Sequence, residues 1–128
     1  MYKISSQVID FYDDQNLLLE ILDDDAPESI KKAHIMSYEQ QQEMPDDEFA
    51  VVIMTKTGQK IRKFPVNDKG HTWLSCESFK KTAHKLPHKA VEVAASNLYA
   101  NCIYNDIECP NLIKKLAADI DSNVVDVD

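Results

Sequence analysis

The stretch FAVVIMTKTGQKIRKFPV, residues 49–66, decides the fold. It opens with an apolar, β-branched run, passes Gly58, which tolerates positive φ, and ends a second run at Pro65, which cannot donate to a strand ladder. That order predicts a β-hairpin over about 49–66. The first strand is apolar on both faces, so it needs cover on both sides. Lys60, Arg62 and Lys63 predict a half-exposed second strand whose edge is open to another chain. Two strands alone are marginal in water, so the hairpin must pack on the helices that follow it.

Those helices are signposted. Asp68 is placed to cap a helix through HTWLSCESFKKTAHKLPH, residues 71–88, in which Thr72, Cys76, Phe79, Ala83 and Leu86 recur at the helical period. Leu86-Pro87 closes it, and Pro87 opens the next helix, HKAVEVAASNLYANCIY, with the stripe Val91, Ala94, Ala95, Leu98 and Cys102. After NDIEC, Pro110 starts a last helix, NLIKKLAADI, burying Leu112 or Ile113, Leu116, Ala117 and Ile120. The expected fold is α+β and mostly helical: one hairpin packed on three C-terminal helices. The predicted core contains Phe49, Val51, Phe64, Pro65, Cys76, Phe79, Leu86, Pro87 and Leu98. A compact unit is expected over 46–121, with DSNVVDVD leaving an acidic tail over 122–128.

Upstream, residues 1–45 read as an acidic helical or extended arm. QNLLLEILDDDAP suggests a short helix burying Leu17, Leu18, Ile21 and Leu22, weakened by the carboxylates Asp23, Asp24 and Asp25 at its C-terminal end. A second helix follows from Asp25 as N-cap, with Pro27 in its first turn and a thin stripe over Ile30, Ala33 and His34. The glutamine-rich end, QQQEMPDDE, reads as a linker stopping at Pro45.

The chain of 128 residues suits one domain, and with only two glycines a turn-rich β-sandwich is disfavoured. The run FAVVIM is far short of the ~20 apolar residues that cross a bilayer, so no membrane partner is expected and the chain reads as soluble and intracellular. Charge is sorted along it. Residues 1–48 carry 13 acids against 3 bases, residues 49–90 carry 2 against 9, and residues 91–128 carry 7 against 2. Either opposite faces of one domain neutralise each other, or an acidic arm reaches the basic segment of a neighbouring copy.

The same residues include the chain's candidate chemical groups. Cys76, Cys102 and Cys109 lack C-x-x-C spacing, which suits free thiols in a reducing compartment. Cys76 and His84 lie roughly two helical turns apart, on the order of 12 Å, so they cannot share one zinc ion. The expectation is small core thiols with surface or boundary histidines, although Cys109 beside Pro110 stands at a helix start that would favour a reactive thiolate. The acidic runs DDD and PDDE lack the glycine loops of a calcium site. No cofactor, metal, catalytic residue or small-molecule substrate is therefore expected. Lys60, Arg62, Lys63, Lys80 and Lys81 with Trp73 form a candidate interaction surface, and Asp23, Asp24 and Asp25 its acidic counterpart. With Phe64, the basic 56–89 segment could also follow a phosphate backbone, although a pI near 4.9 opposes long-range attraction to polyanions.

A resemblance adds to these readings. The acidic lead-in to Phe49-Ala50, the Gly58 turn, RKFPVND with Pro65 and Asp68, His71, the ending at Phe79, Ala83, Leu86 and Pro87, and the small-residue run from Ala94 to Leu98 resemble small structural proteins of tailed bacteriophages, over residues 46–105. The resemblance implies a non-enzymatic component of the virion, present in the host cytoplasm before assembly. It would bind other virion proteins or copies of itself on a capsid or tail lattice. The alternative is a small phage or bacterial regulatory protein that binds a host protein or nucleic acid through the 56–89 surface.

Overall fold

A computed structural model describes residues 38–120 and 122–126, and within them the chain is α+β. Its elements are α1 (Tyr38–Glu43), a 3-10 turn (Asp46–Glu48), β1 (Phe49–Met54), β2 (Lys60–Pro65) and α2 (Lys69–Thr82). A second 3-10 turn (Ala83–Lys85), α3 (His88–Tyr104), α4 (Asn111–Leu116) and β3 (Val124–Asp126) follow. The helices expected before residue 38, with Asp23, Asp24 and Asp25, lie outside the described residues.

β1 and β2 form the expected antiparallel hairpin, with Val51 opposite Lys63 and Ile53 opposite Ile61. The Gly58 amide donates to the Thr55 carbonyl at 3.0 Å, and Gly58 has φ +84°, so the loop closes through the left-handed residue anticipated there. The sheet nevertheless has three strands, in the order β2-β1-β3, and β3 runs parallel to β1 with Val52 opposite Val124. The expected acidic tail is thus partly a strand, and Val125 is buried in the core. Short as it is, β3 covers the side of β1 that a simple hairpin would have left open.

The residues from Phe49 to Ile53 are all buried, as a strand apolar on both faces requires. α3 packs along β1, α2 along β2 and α4 against α3. Cys76 and Phe79 from α2 and Ala94, Ala95, Leu98 and Cys102 from α3 meet Ala50, Val51 and Ile53 in one core. The alanines at 94 and 95 leave room for the helix backbone to approach the sheet. Pro65, Leu86 and Pro87 from the predicted core are only partly buried.

Local signals set the helix limits. The Asp68 carboxylate accepts the His71 amide at 2.8 Å, capping α2. Leu86, extended because a proline follows it, separates α2 from α3. α4 ends at Leu116, earlier than the periodicity of NLIKKLAADI suggests, because Ala117 adopts an extended conformation at its C-cap. Ile113 is the buried residue of that helix, and Leu112 is exposed.

Candidate interaction surface

Two residues assigned to the exposed face of β2 are instead interior. Lys63 is 1 % exposed and Arg62 9 %. Arg62 is a structural clamp: its guanidinium donates to the carbonyls of Met44 and Gln42, the latter at 2.9 Å, and lies over the Phe49 ring at 5.2 Å from the centroid. These carbonyls belong to the end of α1 and the residue after it, where the helix supplies its last carbonyls with no amide donor of its own. The segment read as a glutamine-rich linker is therefore helical through Glu43 and anchored to the sheet, with Gln41 buried.

Lys63 stays inside because the strand alternation breaks beside it. Phe64 has φ +62°, a left-handed conformation rare for a bulky residue, and its ring stands edge-on to Phe79 at 5.5 Å. The Lys63 ammonium lies 5.3 Å from the Phe64 ring centroid, at cation–π distance. Phe64 itself is buried and has no face to offer a nucleobase. Trp73 is half-buried.

A group of accessible cations lies elsewhere. Lys80, Lys81, His84, Lys85, His88 and Lys89 are all exposed around the corner where α2 gives way to α3. The corner exists because Pro87 breaks the helix while the basic residues continue across the break. Lys80 pairs with Glu77 at 3.0 Å and His88 with Glu92 at 2.9 Å, so two acids offset part of this charge. Lys80 and Lys81 suit the C-terminal end of α2, whereas the first turn of α3 itself contains no acid, and His88 reaches Glu92 one turn further on. At the hairpin end, Lys60 is exposed and bonds Asp46 at 2.8 Å. An apolar surface lies on the later part of α3 and on α4, where Tyr99, Ile103, Tyr104 and Leu112 are exposed.

Sequence reasoning missed a row of asparagines. Asn97 and Asn101 on α3 and Asn105 at its C-cap stand at i, i+4 and i+8, and each side-chain amide donates back to the carbonyl four residues earlier. Asn97 also donates to Ala50 at 3.0 Å and Ser122 at 3.2 Å, and Asn123 donates to Asp46 and Phe49. Together they fasten the entry of β3 to β1 and line a shallow cleft of about 170 Å³ with Asp47, Phe49, Val66 and Asn101. The signal was present: a poor helix former repeated every four residues in an apolar helix calls for a specific partner.

The three cysteines do converge, but inside the protein. Cys76, Cys102 and Cys109 are 1 %, 0 % and 6 % exposed, and the Cys76 and Cys102 sulfurs are 3.3 Å apart. Cys109 reaches them because α3 ends in a reversal: Ile107 donates to Cys102, Asp106 donates to Ile103, and Asp106 takes the left-handed residue position at φ +56°. A hydrogen bond to Cys102, reinforced by burial, pushes the Cys76 thiol far up, whereas accepting that bond lowers Cys102 to about 7 against the opposing effect of burial. Burial pushes Cys109 up to about 12. His71 is held by Asp68 at 2.8 Å, and His84 is exposed. Among the described residues no group of three His, Cys, Asp or Glu side chains is arranged to hold a metal ion, and no helix is long and apolar enough to cross a membrane. No family model matches the chain, and neither a curated protein nor a solved structure matches it.

Proposed function

We propose that this chain is a non-enzymatic structural protein of a bacteriophage particle that binds a capsid or tail lattice. The acidic N-terminal stretch, the basic α2–α3 corner and a sheet edge are its contact surfaces, and its partners are other virion proteins or copies of itself. The observation that carries this reading is the exposed basic corner from Lys80 to Lys89, set in the same chain as a first 48 residues with 13 acids against 3 bases. Lattices of repeated subunits use such complementary surfaces, and a short terminal strand leaves a backbone edge for a neighbour. The basic corner presents Lys80, Lys81, Lys85 and Lys89, Lys60 stands apart at the hairpin end, and Arg62 and Lys63 belong to the interior.

The same corner supports a second reading, a regulator that binds nucleic acid through residues 56–89. Burial of Phe64 removes one stacking platform, leaving a phosphate-tracking surface. Charge reversal of Lys81, Lys85 and Lys89 to Glu separates the two. On the structural reading, the variant is depleted from assembled particles and wild-type protein does not bind DNA or RNA at low salt. Low-salt nucleic-acid binding with a steep salt dependence, and unchanged incorporation of the variant, would favour the regulator.

A further inference from the structure

We propose that Cys76 and Cys102 form a covalent modification site: hydrogen peroxide oxidises the pair to an intrachain disulfide that staples α2 to α3, while Cys109 remains a thiol. Cys102 faces Cys76 directly, and Cys109 also hydrogen-bonds to Cys102. The Cys76 and Cys102 sulfurs are 3.3 Å apart, whereas a disulfide holds them at about 2.05 Å, so closure needs roughly 1.3 Å of approach between two packed helices. All three thiols are free and shielded from bulky reagents. Hydrogen peroxide is small enough to enter through local opening of the short α4, which begins just past Cys109 and Pro110.

The chemistry balances within the cluster. A thiolate formed at Cys102, which shares a proton with Cys76 across 3.3 Å, attacks one peroxide oxygen. The O–O bond breaks, and the departing hydroxide takes up the proton released by Cys102 to give water and a Cys102 sulfenic acid. Cys76 then attacks the Cys102 sulfur, the S–O bond breaks, and hydroxide leaves with the Cys76 thiol proton as a second water. Two thiols and one peroxide become one disulfide and two waters. The role of the protein in a particle does not enter this inference.

The test exposes the full-length native protein to hydrogen peroxide, followed by denaturation, alkylation and intact and peptide mass analysis. The expected product is about 2 Da lighter before alkylation, takes one alkyl group on Cys109 and yields a reducible Cys76–Cys102 peptide. Its thermal midpoint rises by roughly 5–15 °C, the range expected of a staple closing a loop of this size. Cys109→Ser retains the cross-link, whereas Cys76→Ser accumulates one oxygen on Cys102. Three alkylated thiols after prolonged exposure, a bond to Cys109 or a link between chains would each overturn the proposal. The wild-type map decides the matter even if a cysteine variant fails to fold.

Discussion

Arg62 on β2 donates Nη2 to the carbonyl of Gln42, 20 residues earlier in the chain, at 2.9 Å. With the Met44 bond, the contact over Phe49 and Asp46 at 3.5 Å, this buried guanidinium is the hinge pin between α1 and the sheet. Replacing Arg62 by Ala leaves carbonyls unpaired in a part-buried site and should cost about 2–4 kcal/mol in urea unfolding. Lys, which lacks the planar fork, should recover less than half of the loss. A loss below about 0.5 kcal/mol would return Arg62 to the category of surface charge.

Asn97 should matter as much to β3 as to its own helix. Asn97→Ala removes the donor to Ala50 and Ser122 and should destabilise by about 1–3 kcal/mol. Hydrogen exchange gives the local readout: the Val52 amide, which donates to Asn123 at 2.7 Å, should lose protection before the α2 amides do. Unchanged protection at Val52 would mean that β3 docks without the asparagine.

Gly58 tests the hairpin turn. A Cβ there meets nothing within 4 Å, so the cost of Gly58→Ala comes from φ +84° alone, about 1–2 kcal/mol. Asn, which tolerates the left-handed region, should cost less than Ala. Equal costs would point to a turn that rearranges.

The thiol cluster sets an alkaline limit on stability. Cys109 is raised from an ordinary 9.0 to about 12 by burial, so above pH 9 the unfolded chain sheds a proton that the folded chain keeps. Its contribution is fully present below pH 9 and is lost as pH rises toward about 12. Cys102, lowered to about 7, acts in the opposite sense: its contribution is present above pH 9 and is lost as pH falls through about 7. Unfolding free energy measured from pH 8 to 11 should therefore fall more steeply for wild type than for Cys109→Ser, and parallel curves would contradict the assignment.

What the sequence disclosed was local. The hairpin, the Asp68 cap, the Pro87 break and the α3 stripe each depend on neighbours within a few residues, and the structure contains all of them. What it concealed depended on distant pairings. β3 has three residues that pair with β1 from the far end of the chain, too short a segment for alternation to announce. The burial of Lys63 beside Phe64 depends on a positive φ at a bulky residue, which no pattern rule would place there. The thiols meet because Asp106 fills a reversal usually given to glycine. Of the candidate surface, Lys60, Lys80 and Lys81 are exposed, whereas Arg62 and Lys63 were misread because charge was equated with exposure.

The most direct test of the proposed structural role is quantitative mass spectrometry of virus particles purified from the chain's source. The account predicts the protein at a fixed ratio to the major lattice protein, retained through salt washes that strip adventitious cytoplasmic proteins. Absence from the particles, or an amount that varies between preparations and washes away, would contradict it.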